Sequence, residues 1–236
     1  MLDPVLFLPD FMTDLRLFGP QIRALSAERP VMGLPVARCE RIESFASDLL
    51  SVAPPKFAVV GQGLGGAVAL ELLRRAEDRV SRIALIGTSF RAEPPSEASD
   101  REPQIIAASA GRFDETIREL IGAGGLAPGP ERGAVLAELM DMARDLGPTA
   151  FRGQSRALQR RPDHQATLRA IKVPALVMVG RHDRICLPKR QDVMAELIRG
   201  AVFNVIETSG RFPTLEAPEA VTTALRSWLS APLAPR

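Results

Sequence analysis

The chain has 236 residues, of which 46% are hydrophobic and 25% charged, enough apolar material for the core of one α/β domain with or without a small cap. Its 30 basic residues nearly balance its 28 acidic ones, so composition gives no reason to expect a nucleic acid or a membrane surface as partner. The two cysteines, Cys39 and Cys186, lie far apart, which favours a reducing compartment over a disulfide framework.

The first residues, MLDPVLFLPD, lack the basic region of a secretory signal and pass directly into a strand-like run. No apolar segment of the sequence approaches the roughly 18 residues that a membrane-spanning helix needs. We therefore expect a cytoplasmic protein without a membrane segment.

Short apolar runs without polar alternation alternate with segments of helical periodicity along most of the chain. Such runs are typical of strands that are buried on both faces. The predicted strands are 5–8, 31–36, 57–60, 82–86, 175–179 and 202–206. The predicted helices between and after them are 13–27, 42–52, 64–77, 190–199 and 218–229. This alternation predicts a parallel sheet with helices on both faces.

Residues 90–169 interrupt the alternation, because they contain no convincing strand. They hold Pro-rich stretches and helical patterns near 102–121, 131–146 and 149–160. We predict that this insertion is a helical cap over one end of the sheet. The remaining residues, 1–89 and 170–236, are the predicted core.

The stretch GQGLGG has two incompatible interpretations. Gly61, Gly63 and Gly66 fit the G-x-G-x-x-G turn of a dinucleotide-binding fold. That fold also needs an acidic residue at the end of the next strand. Here the next strand ends IALIGTSFR, and its first acid, Glu93, comes well after it. The glycine turn also follows at least two predicted strands rather than the first. The dinucleotide interpretation is therefore disfavoured, and we expect no cofactor and no metal.

The same residues fit the G-x-S-x-G turn of a serine hydrolase, with Gly63 in place of the serine. A strand precedes the turn, small residues flank it and a helix follows. Far downstream, PALVMVGRHD places Asp183 just after a buried strand, and FNVIETSGRFPTLEAPEAV spans the last strand and continues beyond it. In order and spacing these three segments resemble the α/β-hydrolase superfamily, particularly its small esterase-like members with a helical cap. The resemblance covers nearly the whole chain and implies an α/β-hydrolase fold, a mostly parallel doubly wound sheet with a small helical cap.

The chain departs from that family at the positions that carry its chemistry. The resemblance places Gly63 at the nucleophile position and Arg211 at the histidine position, and leaves only the acid, Asp183. In the first loop, FLPDFMTD, Asp10 stands where the family normally has a glycine whose backbone helps to form the oxyanion hole. A carboxylate there opposes the negative charge of an acyl-transfer transition state.

These replacements make Ser–His–Asp hydrolysis improbable. Glycine has no side chain to acylate, and arginine stays protonated near neutral pH. Losing the nucleophile or the base of a serine hydrolase costs a factor of about 10⁶ in turnover. Gly63 also relieves the backbone strain of the turn, since only glycine adopts a positive φ without cost.

Other residues offer weaker candidates for chemistry. His182 adjoins Asp183, so its side chain should point away from the acid, and His164 is predicted to lie on a surface loop. Cys186 follows the acid and has no identifiable base, so we expect a small buried thiol at the pocket. Thr88 and Ser89 end a strand, where hydroxyl residues usually form turns.

Arg211 supports two interpretations that can coexist. In one, its guanidinium forms a salt bridge with Asp183 in place of the imidazole. In the other, it faces the free N–H groups of the helix that begins near Leu64, and together they bind a carboxylate or phosphate. The predicted ligand-binding residues are Asp10, Phe11, Gly63, Leu64 and Arg211.

Two functions remain open at this level. The first is a non-hydrolytic binder of a small molecule, an acid being one case, in the ancestral pocket. The second is an enzyme without a serine nucleophile that acts on a small ester or carbonyl compound. It would be a lyase, an isomerase or an esterase-like hydrolase that works by direct water attack with Asp183. The sequence leaves the oligomeric state open.

Overall fold

The apolar runs form the strands of one parallel sheet, in a computed structural model that describes residues 2–232. Residues 1 and 233–236 of the predicted core lie outside the described part. Within it, the sheet has six strands in the order β2-β1-β3-β4-β5-β6, and every neighbouring pair is parallel. The strands are β1 Val5–Leu8, β2 Val31–Gly33, β3 Phe57–Gln62, β4 Val80–Ile86, β5 Ala175–Gly180 and β6 Val202–Ile206.

The second strand is shorter than its predicted range of 31–36. It ends at Gly33, although Leu34 N still donates to Phe7 O at 3.0 Å. Pro35 follows, and because proline has no N–H the ladder cannot continue. Strands β3, β4 and β5 each extend beyond the predicted bounds, and β3 reaches Gln62, which pairs with Ile86.

Helices cover both faces of the sheet, which confirms the predicted doubly wound α/β class. Val5 and Phe7 belong to the core cluster on one face, and Leu6 and Leu8 to the cluster on the other. Residues of α2 Ile42–Val52, α3 Leu64–Arg75 and α8 Pro188–Glu196 join the Leu6 face. Residues of α1 Gly19–Ser26 and α10 Pro218–Ser230 join the Phe7 face, and the short helix α9 Pro213–Glu216 precedes α10. Burial on both faces explains why the strands carry no polar alternation.

The predicted helix at 13–27 is split in two. A 3₁₀ turn covers Leu15–Phe18, with the Asp14 carboxylate accepting the Arg16 amide at 2.8 Å. Helix α1 then starts anew at Gly19, and Pro20 suits its first turn because that position needs no N–H donor.

The segment between β4 and β5 is helical and, within residues 87–174, holds no strand. It contains α4 Pro95–Ala107, α5 Phe113–Gly124, α6 Arg132–Gln159 and α7 Gln165–Ala170. The helix predicted at 102–121 breaks at Ala110–Gly111, where Gly111 has a φ of 88°. Helix α6 consists of two helical segments that meet at a break, where Gly147 has a non-helical φ of 76° ahead of Pro148. This break lies between the two helices predicted at 131–146 and 149–160. The division of the chain into core and cap stays a prediction.

This insert lies over the carboxyl ends of the strands. Gln154 of α6 accepts a hydrogen bond from Met12 N at 2.8 Å and donates to Val36 O at 3.2 Å, so it ties α6 to the loops after β1 and β2. The two ends of the insert meet where His164 N donates to Phe90 O at 2.7 Å. Within residues 2–232, no helix combines the length and apolar character that crossing a bilayer requires.

Helix α3 approaches β1 so closely that side chains are excluded from the contact. A Cβ at Gly65 would overlap the carbonyl group of Leu8. Since the obstruction is backbone, the Gly65→Ala variant has to move the helix or the strand, and we expect it to lose about 2–3 kcal/mol of unfolding free energy.

Gly122 of α5 is the matched control, because a Cβ there meets nothing within 4 Å. Gly122→Ala should be neutral or gain up to roughly 1 kcal/mol from helix propensity. Urea unfolding of both variants measures the difference, and equal stabilities would contradict the close approach.

Candidate functional site

The glycine-rich turn connects β3 to α3 through one residue. Strand β3 ends at Gln62, α3 begins at Leu64, and Gly63 between them has φ 50° and ψ −111°. That left-handed backbone is strained for any residue with a side chain. The strand–turn–helix geometry is that of a nucleophile elbow.

The carboxylate of Asp10 lies where the side chain of a residue at position 63 would be. A Cβ built on Gly63 would overlap both carboxylate oxygens. Asp10 Oδ1 accepts hydrogen bonds from Phe11 N at 2.7 Å and from Leu64 N at 2.9 Å. Leu64 is the first residue of α3, so the carboxylate sits at a helix N-terminus, which favours an anion.

Arg211 joins Asp10 to the acid that follows β5. Its Nη2 donates to Asp10 Oδ2 at 2.7 Å, and its Nη1 lies 3.3 Å from Asp183 Oδ2 and donates to Gly87 O at 2.6 Å. The ion pair predicted between Arg211 and Asp183 is therefore present, and a shorter one to Asp10 accompanies it. We call these three side chains the Asp10–Arg211–Asp183 network.

The network is closed to solvent and keeps its guanidinium charged. Asp10 and Asp183 are each 2% exposed and Arg211 is 8% exposed. Burial alone disfavours the charged form of Arg211, but the Asp10 and Asp183 carboxylates outweigh it and raise the pKa of Arg211 well above its usual value. Arg211 therefore cannot accept a proton as the base of a hydrolytic reaction.

Asp183 is oriented by its own turn. Its Oδ1 accepts hydrogen bonds from Ile185 N and Cys186 N, both at 2.8 Å. Its other oxygen is left to face Arg211. A buried carboxylate is tolerated here because backbone amides and a guanidinium supply its partners.

Two further residues, to which the sequence interpretation gave no role, hold the backbone of Arg211 in place. Gln62 Nε2 donates to Arg211 O at 3.1 Å, and Gln62 Oε1 accepts from Thr214 Oγ1 at 3.1 Å. The Glu216 carboxylate accepts from Gly210 N at 3.0 Å and from Phe212 N at 2.8 Å. The only sequence signal for Glu216 was its place in the GRFPTLE segment.

A cavity of about 780 Å³ lies between this network and the helical insert. All five residues predicted to contact a ligand line it, namely Asp10, Phe11, Gly63, Leu64 and Arg211. Asp183 is not among the lining residues, because it lies behind Arg211. The structure thus brings the predicted residues together at the floor of one cavity.

The first amide of α3 is not available to a dinucleotide. In a dinucleotide fold the pyrophosphate binds the helix N-terminus, and here Asp10 already accepts the Leu64 amide. Among residues 2–232, no group of three or more His, Cys, Asp or Glu side chains is arranged to hold a metal ion.

The remaining candidates divide between buried and exposed positions. The side chain of His182 is exposed while Asp183 is buried, as their adjacency predicts. Cys186 lines the cavity, and burial raises the pKa of its thiol to about 11. Thr88 is buried and its hydroxyl donates to Ile86 O at 3.2 Å, while Ser89 beside it lines the cavity.

The prediction that His164 lies on a surface loop is wrong. Its side chain is 1% exposed, with Nδ1 3.3 Å from Thr167 Oγ1 and Nε2 3.9 Å from Glu71 Oε2 on α3. His164 is buried because the returning end of the insert packs against α3 and its backbone pairs with Phe90. Desolvation lowers the pKa of His164, although the Glu71 carboxylate opposes the effect.

Comparison with known proteins gives one family and a group of esterases. The model of a family described as the Alpha/beta hydrolase family matches residues 5–224. A pimeloyl-[acyl-carrier protein] methyl ester esterase from Aromatoleum aromaticum is 28% identical over 212 residues, covering 84% of this chain and 84% of that protein. One from Neisseria meningitidis is 26% identical over 200 residues, covering 83% of this chain and 78% of its own.

Solved structures agree in fold. A thermophilic esterase from Thermogutta terrifontis, solved with malate bound, has a TM-score of 0.86 at 26% identity and covers 96% of this chain and 89% of its own. The enol-lactonase from Burkholderia xenovorans has a TM-score of 0.86 at 22% identity and covers 98% of this chain and 92% of its own, a likeness of fold alone.

The Asp10–Arg211–Asp183 network predicts a large loss of stability when its cation is removed. Arg211→Gln leaves two carboxylates facing each other without a counter-charge, and breaking a buried ion pair in this way costs about 3–5 kcal/mol. Arg226→Gln is the control, because its pair with Glu28 is largely exposed and should contribute little. Urea unfolding measures both, and an Arg211→Gln midpoint equal to that of the control would contradict the network's role.

Because His164 is buried, we expect the protein to lose stability on mild acidification. The folded pKa of His164 is lowered from the ordinary 6.5, so below that pH the unfolded chain binds a proton that the folded chain resists. Stability should therefore fall as the pH drops from about 7.5 to about 5.5. Denaturant titrations should show that the unfolding free energy of His164→Gln falls less over this pH range than that of the wild type. The His182→Gln variant should lose as much as the wild type. If the unfolding free energy of His164→Gln falls as much as that of the wild type, the assignment to His164 is refuted.

Proposed function

The chain belongs to the α/β-hydrolase family, and we propose that it is a non-hydrolytic member, which binds a small molecule in the cavity between its sheet and its helical insert. In this proposal the catalytic triad is degenerate. Gly63 stands for the nucleophile and Arg211 for the histidine, and Asp183 is the retained acid.

The position of the Asp10 carboxylate carries the proposal. A serine hydrolase needs a nucleophile side chain at the elbow and two backbone amides that receive the oxyanion, one of them from the residue after the nucleophile. Here Asp10 fills the space of that side chain and accepts the amides of Phe11 and Leu64. The elbow therefore offers a substrate carbonyl no nucleophilic side chain, and the two amides that would bind the oxyanion already donate to Asp10.

The rate factors known for serine hydrolases indicate that little hydrolysis would remain. Removal of the nucleophile or base costs about 10⁶ in turnover, and the remaining factor of about 10³–10⁴ over water comes from the oxyanion hole and from binding. A carboxylate inside that hole opposes the developing negative charge and so removes the first of these contributions.

The cavity supports binding as the retained property. Its volume of about 780 Å³ falls within the range of roughly 300–1,000 Å³ that is typical of small-molecule sites. Asp10, Phe11, Gly63, Leu64 and Arg211 form its floor and are the proposed ligand contacts. The Thermogutta esterase with malate bound shows that an acid binds one protein of similar fold, and an acidic ligand is the case we favour.

The second candidate is an enzyme that works without a serine nucleophile. The esterase relatives favour it, as does the cavity over the usual catalytic end of the sheet. In that case Asp10 or Asp183 activates water, or the protein is a lyase, and the substrate is a small ester or carbonyl compound.

Restoration of the family residues tests the proposal. We expect wild-type turnover of p-nitrophenyl acetate and butyrate at background, and measurable turnover in the triple variant Asp10→Gly/Gly63→Ser/Arg211→His. The double variant Gly63→Ser/Arg211→His is the matched control. It should remain well below the triple variant, because the introduced side chain would overlap the Asp10 carboxylate.

A serine-directed phosphonate should label the triple variant and leave the wild type unlabelled. Rapid wild-type turnover would overturn the proposal. If Asp10→Asn or Asp183→Asn abolished that turnover, the result would establish the second candidate instead.

A further inference from the structure

The cavity is lined by more basic side chains than its floor requires. Besides Arg211, six basic residues border it: Arg91, Arg101, Arg161, Arg184, Lys189 and Arg190. A cation can receive a ligand anion strongly only if it is shielded from water and not already paired. Shielding from water and the absence of a paired carboxylate therefore distinguish among these six residues.

Four of the six are exposed to solvent. Arg91, Arg184, Lys189 and Arg190 lie at the mouth of the cavity, where water and salt screen their charge. They can attract an anion towards the opening but give it no fixed partner. The two shielded cations are Arg101 and Arg161, with side chains 18% and 11% exposed.

Arg101 is already paired. Its Nε donates to Glu93 Oε2 at 2.8 Å and its Nη2 to Glu93 Oε1 at 2.7 Å, a bidentate contact with a carboxylate that is 0% exposed. This pairing uses both oxygens of Glu93. Arg211 is likewise committed to two carboxylates and a carbonyl.

Arg161 is shielded without being paired in this way. Its Nε donates to Arg91 O at 2.8 Å, which fixes the guanidinium plane. Among the described residues its terminal nitrogens make no hydrogen bond, and the nearest carboxylate oxygen, Glu93 Oε1, is 3.5 Å from Nη1. One carboxylate thus serves two guanidinium groups. Glu97 and Asp100 also line the cavity, but they are exposed, and within the described residues neither forms an ion pair with Arg161.

Apolar side chains are also part of the cavity lining. Arg101 lies 5.8 Å from the centre of the Phe11 ring, which places it beside the loop that carries Asp10. Leu139 and Leu158 of α6 also line the cavity and are buried. A ligand that satisfies both features has a single anionic group and an apolar body.

We propose that Arg161 binds the carboxylate of an amphiphilic monocarboxylic acid, whose apolar body lies in the cavity between Phe11 and the α6 side chains. This deepens the proposed function, since it names the ligand class and the residue that recognises it. In this proposal the ligand's carboxylate binds Arg161 and not Arg211, because Arg211 is already paired with Asp10. Burial lowers the pKa of Arg161 against the opposing effect of Glu93, which agrees with a cation short of negative partners.

Titration calorimetry with octanoate, and with octanamide as its neutral analogue, tests the assignment. We expect octanoate to bind the wild type more tightly than octanamide does. Arg161→Gln should weaken octanoate binding at least about ten-fold, equivalent to about 1.4 kcal/mol, and leave octanamide unchanged. Arg161→Lys keeps the charge and should retain part of the preference.

Lys189→Gln is the matched control, because Lys189 borders the same cavity but is exposed. It should bind octanoate as the wild type does. Equal binding of octanoate and octanamide by the wild type, no octanoate binding, or an unchanged affinity in Arg161→Gln would each overturn the assignment. If Arg161→Gln does not fold, the wild-type preference and its reduction in Arg161→Lys decide. Ester turnover is measured separately. Ester hydrolysis by the wild type would contradict the proposed non-hydrolytic function but would leave the assignment of octanoate binding to Arg161 unchanged.

Discussion

The arrangement of the site depends on one buried guanidinium. Arg211 comes from the loop after β6, Asp183 from the loop after β5, Asp10 from the loop after β1, and the carbonyl of Gly87 from the end of β4. Charged groups that are this deeply buried must be paired, or folding loses several kcal/mol. A single cation therefore fixes the relative positions of four loops at the carboxyl edge of the sheet. Electrostatic attraction holds that edge together.

Asp10, Gly63 and Arg211 are physically linked. The Asp10 carboxylate can occupy its place only because Gly63 has no Cβ. It is tolerated there because Arg211 neutralises one oxygen while two backbone amides satisfy the other. Arg211 in turn has two carboxylates to meet. A side chain at position 63 alone would clash with Asp10, and loss of Arg211 alone would leave two carboxylates without a counter-charge, so the three positions depend on one another.

The sequence predicted the fold well and the site in part. Apolar runs without alternation indicated a parallel sheet with both faces covered, and GQGLGG with the two downstream segments located the elbow and the acid. The sequence also showed that position 10 carries a carboxylate, but not that this group pairs with Arg211, 201 residues away. Partners so distant are set by the packing of loops, which no local pattern records. The same reason explains His164, whose burial depends on how the insert closes against α3, and β2, where Pro35 overrides an apolar run.

The cavity supports the proposed binding of a ligand. Its mouth is open to solvent, and its volume of about 780 Å³ lies above a floor that includes Asp10, Gly63 and Arg211. The charges point the same way. An acyl-transfer site concentrates positive potential at its floor, where the oxyanion forms. In this protein Arg211 at the floor is paired with two carboxylates, Asp10 beside it and Asp183 behind it. Arg161 beneath the insert is shielded and shares the Glu93 carboxylate with Arg101. A ligand that fits this distribution places its anionic group at Arg161 and an uncharged portion against Gly63.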